Sequence, residues 1–295
     1  MKLHPTVIPA IDWARAEHLI ELALSEDLDM VGDATTLAVI PDSTRCRAVL
    51  RGKSPDLVVA GLPVAQKVFE VVDPTVKFVA LKKEGDLIQK GEVLAKISGS
   101  AQSILTAERT ALNFLQRLCG VASTSRKYAE ALRGTNCVIL DTRKTTPGFR
   151  NLEKYAVAVG GAVNHRIGLF DMVMIKDNHR ELALLDGRDG IRRAVERARK
   201  RYPDLAVEVE ADTLDEVRAA LDAGADCIML DNMDDATMAE AVKIVNGKAE
   251  LEASGGITLE RLPEIGKLGV DYVSAGALTH SVKAADISLD VEVEK

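Results

Sequence analysis

The chain is poor in several things, and each shortage removes a class of function. Only 3% of its residues are aromatic, and no apolar run approaches the ~18–20 residues that cross a bilayer. The opening MKLHPTVIPAIDW lacks the charged-then-apolar layout of a signal peptide, so a cytoplasmic protein is expected. The four cysteines (Cys46, Cys119, Cys137, Cys227) form no C-x-x-C pair and sit mostly among apolar neighbours. Buried reduced thiols are therefore expected rather than disulfides or a zinc site. The five histidines include no H-E-x-x-H, which argues against a transition-metal enzyme.

What is present is a chain of 295 residues, 47% hydrophobic, with a net charge of −7. That length can bury a good core in one large domain or two modest ones. The acidic balance argues against general nucleic-acid affinity. The one strongly basic stretch, IRRAVERARKR from Ile191 to Arg201, fits the outer face of an amphipathic helix with Ile191, Ala194, Val195 and Ala198 turned inward. Charge is nevertheless uneven. Between Asp141 and Arg180 stand seven Lys or Arg against four Asp or Glu, so an anion is expected to bind in this segment.

Residues 1 to about 112 read as mixed α and β. Ile11 to Leu24 has a helical pattern, Arg45 to Arg51 and Val76 to Leu81 are strand-like, and Thr106 to Leu118 is a helix leading onward. Lys83 to Gly99 reads as two short β pieces around a turn. It resembles half of a biotinyl or lipoyl domain without the central modifiable lysine, so no prosthetic group is expected there.

From about Gly134 the pattern becomes short apolar runs separated mostly by helices. The runs are 137–142, 162–166, 172–177, 206–211, 227–232, 250–256 and 272–278, and the helical segments include Thr213–Ala223, Asp234–Val245 and Leu259–Leu268. Near-continuous apolar strands alternating with helices mean a parallel sheet covered on both faces. Seven such units with no G-x-G-x-x-G after the first strand favour a βα barrel over a Rossmann sheet.

In such a barrel the site is built where the strands end. The ends read Thr142, Arg143 and Lys144; then His165 and Arg166; then Lys176; then Glu210; then Asp231; then Ser254, Gly255 and Gly256; then Ala275, Gly276 and Ala277. The first three ends are cationic, the next two anionic and the last two small. Clustered Arg and Lys call for carboxylate or phosphate. The acids suit a hydrated Mg²⁺ or sugar hydroxyls, or else an acid/base pair. Small residues let backbone N–H groups approach a phosphate. The site thus expects a small anion together with a phosphorylated sugar.

These residues carry a family resemblance. EDLDMVGDATT, AERTALNFLQRLCGVAS, DTRKTTPGFRNLEKYAVAVGGAVNHRIGLFDMVMIKDNH, VEVEAD, IMLDNM, EASGGI and VDYVSAGALTHS resemble the quinolinate phosphoribosyltransferases, the decarboxylating nicotinate-nucleotide pyrophosphorylases of NAD synthesis, over nearly the whole chain. The resemblance implies an α/β fold with an N-terminal α/β sandwich domain (residues 1–112) and a C-terminal open, TIM-like α/β barrel of about seven strands (113–280), the tail 281–295 returning to the first domain. It implies conversion of quinolinate and phosphoribosyl pyrophosphate to nicotinate mononucleotide, pyrophosphate and CO₂, with Mg²⁺. It implies a homodimer with sites between subunits, and leaves open assembly into hexamers.

Carried over residue by residue, Arg143, His165, Arg166 and Lys176 look like ligands of the quinolinate carboxylates, with Thr142 beside them. Arg109 looks like the arginine supplied by the partner subunit. Lys144, Glu210 and Asp231 look like the catalytic side that handles the pyrophosphate, the ribosyl cation and the metal, the two acids holding Mg²⁺ directly or through water. Ser254, Gly255, Gly256, Ala275, Gly276 and Ala277 look like the surroundings of the 5-phosphate. Two departures stand out: Ala162 adds a methyl where the family often has glycine, and Ala275 occupies a position that varies. The short phosphoribosyltransferase signature, two acids followed by T-x-x-T-G, is absent. The competing expectations are a Schiff-base lyase using Lys176 and a non-catalytic relative that binds a similar anion.

Overall fold

The structure is a computed structural model and describes residues 7–183 and 188–293. Met1 to Thr6, residues 184–187 and the last two residues of the expected returning tail lie outside the described residues. The chain divides into two compact units. One comprises Ile8–Arg126, Thr145–Gly161 and the segment from Leu278 onward; the other comprises Lys127–Lys144 and Ala162–Ala277.

In the first unit, α1 (Trp13–Leu28) begins at Asp12, whose carboxylate accepts the Arg15 N–H, and buries Ala16, Ile20 and Leu24 at four-residue spacing. Helix α2 (Ala34–Val39) is capped in the same way by Asp33 on the Thr36 N–H at 3.0 Å. Then come β1 (Arg45–Gly52), β2 (Leu57–Val58), α3 (Leu62–Val72), β3 (Lys77–Ala80), β4 (Leu87–Ile88), β5 (Val93–Ser100) and α4 (Ala101–Ala131). The residue before α3 must be glycine. Gly61 has φ +95, and a Cβ there would lie 2.5 Å from Leu118 Cδ1. The Gly61 and Leu62 N–H groups donate to Glu84 at 2.7 and 3.0 Å, and the Tyr155 hydroxyl donates to the same carboxylate at 2.8 Å. Burial nevertheless keeps the Glu84 carboxyl above its ordinary range.

Helix α4 runs unbroken for 31 residues, so the expected boundary near residue 112 falls inside it. Its buried positions, among them Ile104, Ala107, Ala111, Leu115, Leu118 and Ala122, recur at helical spacing.

The second unit opens with β6 (Val138–Leu140). The chain then contributes α5 (Arg150–Val159) to the first unit and returns through β7 (Val173–Ile175), α6 (Asp177–Leu182), α7 (Arg188–Arg201), β8 (Val207–Ala211), α8 (Leu214–Asp222), β9 (Cys227–Asp231), α9 (Asp235–Val245), β10 (Glu250–Ser254), α10 (Leu262–Ile265) and β11 (Tyr272–Ser274). These strands form one parallel sheet in the order β6-β11-β10-β9-β8-β7. A parallel bridge from Leu140 to Val163 adds a seventh position beside β6. The architecture is the expected open α/β barrel, with two local corrections. The run 162–166 forms only that bridge, because the His165 and Arg166 N–H groups donate to the side chains of Asp141 and His165 instead of to a neighbouring strand. The helix expected over 259–268 is broken into a 3-10 turn at Leu259–Arg261 and the short α10, where Pro263 lacks the N–H a continuous helix needs. The basic helix α7 does bury Ile191 and Val195, with Ala194 and Ala198 half-buried.

Strand β12 (Ile287–Val293) belongs again to the first unit and pairs antiparallel with β1, giving a sheet in the order β12-β1-β5-β3. This sheet and its helices make the α/β sandwich. None of the four cysteines is in a disulfide, and all four are buried. Among the described residues no helix is long and apolar enough to cross a membrane.

Candidate active site

The C-terminal ends of the parallel strands surround a cavity of about 670 Å³. Thr142, Arg143, Lys144, His165, Arg166 and Lys176 line it from one group of strand ends. Glu210, Asp231, Ser254, Gly255 and Gly256 line it from the others. Eleven of the residues picked from strand ends thus share one cavity. Met174, Met229, Asn232, Glu252 and Ser274 complete it.

On the cationic side, Arg166 is half-buried and its guanidinium donates to the Met172 carbonyl at 3.1 Å. Burial, and then the neighbouring Arg143 guanidinium, disfavour its charge. Two guanidiniums set against each other in a partly dry wall create a demand for an anion, since a carboxylate offsets both desolvation and repulsion. Lys144 is exposed, and its backbone N–H donates to Thr142 Oγ1 at 3.1 Å. Lys176 pairs its ammonium with the Glu210 carboxylate. That contact suits an ion-pair donor better than a free amine nucleophile. Arg150 opens α5 and donates to Thr145 Oγ1 at 3.0 Å, outside the cavity lining.

On the acidic side, Glu210 is buried and Asp231 half-buried. The loop after β9 fixes Asp231. Asn232 adopts a left-handed backbone (φ 53), its N–H donates to the Ser254 carbonyl at 2.9 Å, and its amide donates to Asp231 Oδ2 at 2.8 Å. The neighbouring turn is tailored to it: Gly255 has φ +89, and a Cβ there would fall 2.1 Å from Asn232 Oδ1. Gly256 follows, also at positive φ (59). Burial first, then the Glu216, Asp231 and Glu210 carboxylates, push the Asp212 carboxyl upward. This pole offers oxygen donors only, one of them already paired with Lys176. It fits a hard divalent cation of the Mg²⁺ type, which takes one or two carboxylates and completes its shell with water and phosphate.

Below the rim lies a cluster that strand ends alone do not reveal. His165 Nε2 is 3.2 Å from Glu208 Oε2 and 3.1 Å from Glu252 Oε2, and both glutamates are fully buried. Burial works against charge on His165, but the Glu252 and Glu208 carboxylates outweigh it and raise it to about 10. Burial, then Glu252, raises Glu208 to about 7. Both shifts run toward the protonated form, so the cluster holds its protons more tightly than the same groups would in water. The Arg166 N–H donates to His165 Nδ1 at 2.7 Å, and a nitrogen that accepts cannot carry a proton. In this geometry the ring carries its proton on Nε2, between the two carboxylates, and their pull toward a charged ring is opposed at Nδ1. The His165 N–H in turn donates to Asp141 Oδ1 at 2.8 Å, and the Asn164 amide donates to Asp141 Oδ2 at the same distance.

Four expected residues do not line the cavity. Ala275, Gly276 and Ala277 stand just past β11, with Gly276–Leu278 turning as a 3-10 helix, and Ser274 reaches the cavity in their place. Arg109 is exposed on α4 in the other unit. Glu208 and Glu252 lie one layer below the strand ends, outside the set of residues that those ends point to. Their signal was there: in VEVEA and ELEAS, counting back two residues from Glu210 and Ser254 reaches them on the same strand face.

Residues 121–290 match the family model described as quinolinate phosphoribosyl transferase, C-terminal domain, and residues 33–119 match that of the N-terminal domain. The chain is 42% identical to the chloroplastic nicotinate-nucleotide pyrophosphorylase [carboxylating] of Arabidopsis thaliana, over 100% of its own length and 87% of that protein. It is 41% identical to the mitochondrial quinolinate phosphoribosyltransferase [decarboxylating] 2b of Nicotiana tabacum, over 100% of its length and 86% of that protein. The solved nicotinate-nucleotide pyrophosphorylase of Francisella tularensis superposes with a TM-score of 0.90 at 37% identity, covering 97% of this chain and 99% of that one.

Proposed function

The chain belongs to the quinolinate phosphoribosyltransferase family, and on that premise we propose how its own residues divide the work. The enzyme transfers the phosphoribosyl group of phosphoribosyl pyrophosphate to quinolinate with loss of CO₂, giving nicotinate mononucleotide and pyrophosphate for NAD biosynthesis. The observation that carries the division of labour is the polarity of the single cavity, with crowded guanidiniums facing two acids and a glycine turn.

Arg143 and Arg166 hold the two carboxylates of quinolinate and aim its ring nitrogen at the sugar. Lys176, set between Glu210 and the cationic wall, serves both poles. The Ser254-Gly255-Gly256 turn receives the 5-phosphate, because its backbone can approach where a side chain could not. Lys144 offsets charge growing on the departing pyrophosphate, while Glu210 and Asp231 face the ribosyl centre as positive charge develops there. Glu210 and Asp231 would hold Mg²⁺, directly or through water, and the ion would supply neutralisation of phosphate charge. No protein nucleophile is required. Once its nitrogen is alkylated, the pyridinium ring accommodates the electron pair left at C2 when CO₂ departs. The cavity's role in that step is to exclude water.

Arg109 reaches a partner subunit's cavity in a homodimer, an assignment supported by its exposure on α4 and by its absence from the cavity lining of its own chain. Four buried thiols with no disulfide among them support a reducing, cytoplasmic setting. The lyase and anion-carrier alternatives leave the acidic pole without a task.

The test is to mix the protein with quinolinate, phosphoribosyl pyrophosphate and Mg²⁺ and to measure CO₂ and nicotinate mononucleotide. Turnover with nicotinate and none with quinolinate would overturn the reading.

A further inference from the structure

The cluster beneath the cavity assigns roles that the strand-end residues leave open. His165 lines the cavity, yet its Nε2 is enclosed by protein between Glu208 and Glu252, at 3.2 and 3.1 Å. Its Nδ1 is occupied by the Arg166 N–H at 2.7 Å. Neither ring nitrogen is turned to a ligand in the cavity.

Two readings of the cluster must be weighed. The ligand atoms of His165, Glu208 and Glu252 lie within 4.8 Å of one another, the spacing of a three-ligand metal site. A metal on Nε2 requires the lone pair there and the proton on Nδ1. The Arg166 N–H needs the reverse, with the lone pair on Nδ1. The geometry therefore favours an imidazole whose Nε2 is held at ion-pair distance between two carboxylates over a metal ligand.

We propose that Glu208 and Glu252 are positioning residues for the base-binding side of the cavity, acting through His165, which is itself a positioning residue and not a carboxylate ligand. The chain of contacts is short. The two glutamates fix the imidazole plane, and Nδ1 fixes the Arg166 main chain. The Arg166 guanidinium, anchored also on the Met172 carbonyl at 3.1 Å, is thereby aimed at the substrate. A backbone N–H is an anchor that no rotation of the Arg166 side chain can release. The same His165 N–H bond to Asp141 Oδ1, at 2.8 Å, ties this turn to the residue that precedes Thr142 and Arg143. One buried residue thus ties the two turns together, through its ring to Arg166 and through its main chain to Asp141. This inference rests on the reading that the cavity takes quinolinate.

The experiment has two arms. In the first, the ring nitrogens of ¹⁵N-histidine-labelled enzyme are read by NMR, with His165 assigned by the loss of its signals in His165→Gln from a chain of five histidines. The expected result is a neutral ring protonated on Nε2. A ring protonated on Nδ1, alone or on both nitrogens, overturns the proposal and needs no variant of either glutamate. In the second, Glu208→Gln and Glu252→Gln, close in shape to the originals, are assayed for turnover. Each is expected to raise KM for quinolinate by about ten- to a hundredfold, the scale of a lost hydrogen bond to a charged group. KM for phosphoribosyl pyrophosphate should stay within about twofold, and the His165 ring signals should shift toward a tautomer mixture. Unchanged quinolinate KM in both variants, alongside a large loss in His165→Gln, makes His165 a direct ligand and sinks the proposal. Failure of the unaltered enzyme to consume quinolinate sinks the functional reading instead, while the ring tautomer is still read independently.

Discussion

Strands β1 and β8 both alternate, but the alternation means different things. In β1, Cys46, Ala48, Leu50 and Gly52 are buried while Arg45 and Arg47 are exposed and Arg51 is half-buried. One face meets the core and the other meets water. In β8, Val207, Glu208, Val209, Glu210 and Ala211 are all buried. The alternation there is one of chemistry and not of exposure, with glutamates on one face and apolar residues on the other. An arginine on β1 costs almost nothing. A glutamate in β8 must find a partner, and what it finds is His165 or Lys176.

If enclosure is what separates these cases, the rule should hold outside the parallel strands too. Glu153 in the first unit is fully buried and accepts from Arg117 Nε at 3.0 Å, Thr146 N at 3.0 Å and Thr146 Oγ1 at 2.9 Å. Glu153→Ala leaves the Arg117 guanidinium without its counter-charge, and should lower stability by about 3–5 kcal/mol, read as a shift of the urea midpoint. A shift under about 1 kcal/mol would mean that enclosure is not the deciding variable. Next in size, Arg143→Ala should cost about 2–5 kcal/mol of quinolinate recognition, seen as a steep fall in kcat/KM, whereas Arg47→Ala on the solvent face of β1 leaves turnover unchanged. Equal effects would erase the contrast between the two arginines. Gly255→Ala forces a methyl against Asn232 at a positive φ and should cost about 1–3 kcal/mol, appearing as a raised KM for phosphoribosyl pyrophosphate with little change for quinolinate.

The smallest effect belongs to the solvent face. Arg51 and Asp290 pair at 2.9 Å while each stays about one-third exposed or more, so Arg51→Ala should cost no more than about 1 kcal/mol. The Asp290 carboxyl is held below its ordinary 3.8, first by Arg51 and then by Ser288. Because the folded value is the lower one, the contribution is complete above pH 3.8 and disappears as pH falls through the folded value. Melting curves of Arg51→Ala and the parent chain should therefore converge under acid conditions. A gap that persists in acid would assign the pair's contribution to packing instead.

The same contrast explains how much could be read from the sequence. The barrel was legible because parallel strands buried on both faces leave apolar runs, and six of the seven runs became strands. The cavity was legible because charge at a strand end seldom lacks a purpose when several ends agree. Glu208 and Glu252 escaped because a glutamate one layer below the rim looks, in a string of letters, like an outward residue of a half-covered strand. Only the burial of all five residues of β8 shows otherwise. Asn232 escaped for a different reason. Its grip on Asp231 depends on a left-handed backbone and on the absent side chain of Gly255, and neither has a periodic signature.

The position of β12 carries a consequence for the chain while it is being made. Strand β1 is paired on one side by β5, which follows closely, and on the other by β12, which emerges from a ribosome only after the whole parallel sheet. At ~5–20 residues per second, the open edge of β1 waits on the order of ten seconds or more for its second neighbour. An unpaired edge is a template for the wrong partner, and charged side chains are the usual protection. Arg45, Arg47 and Arg51 keep that strand charged during the wait, at an edge that β12 covers in the finished fold.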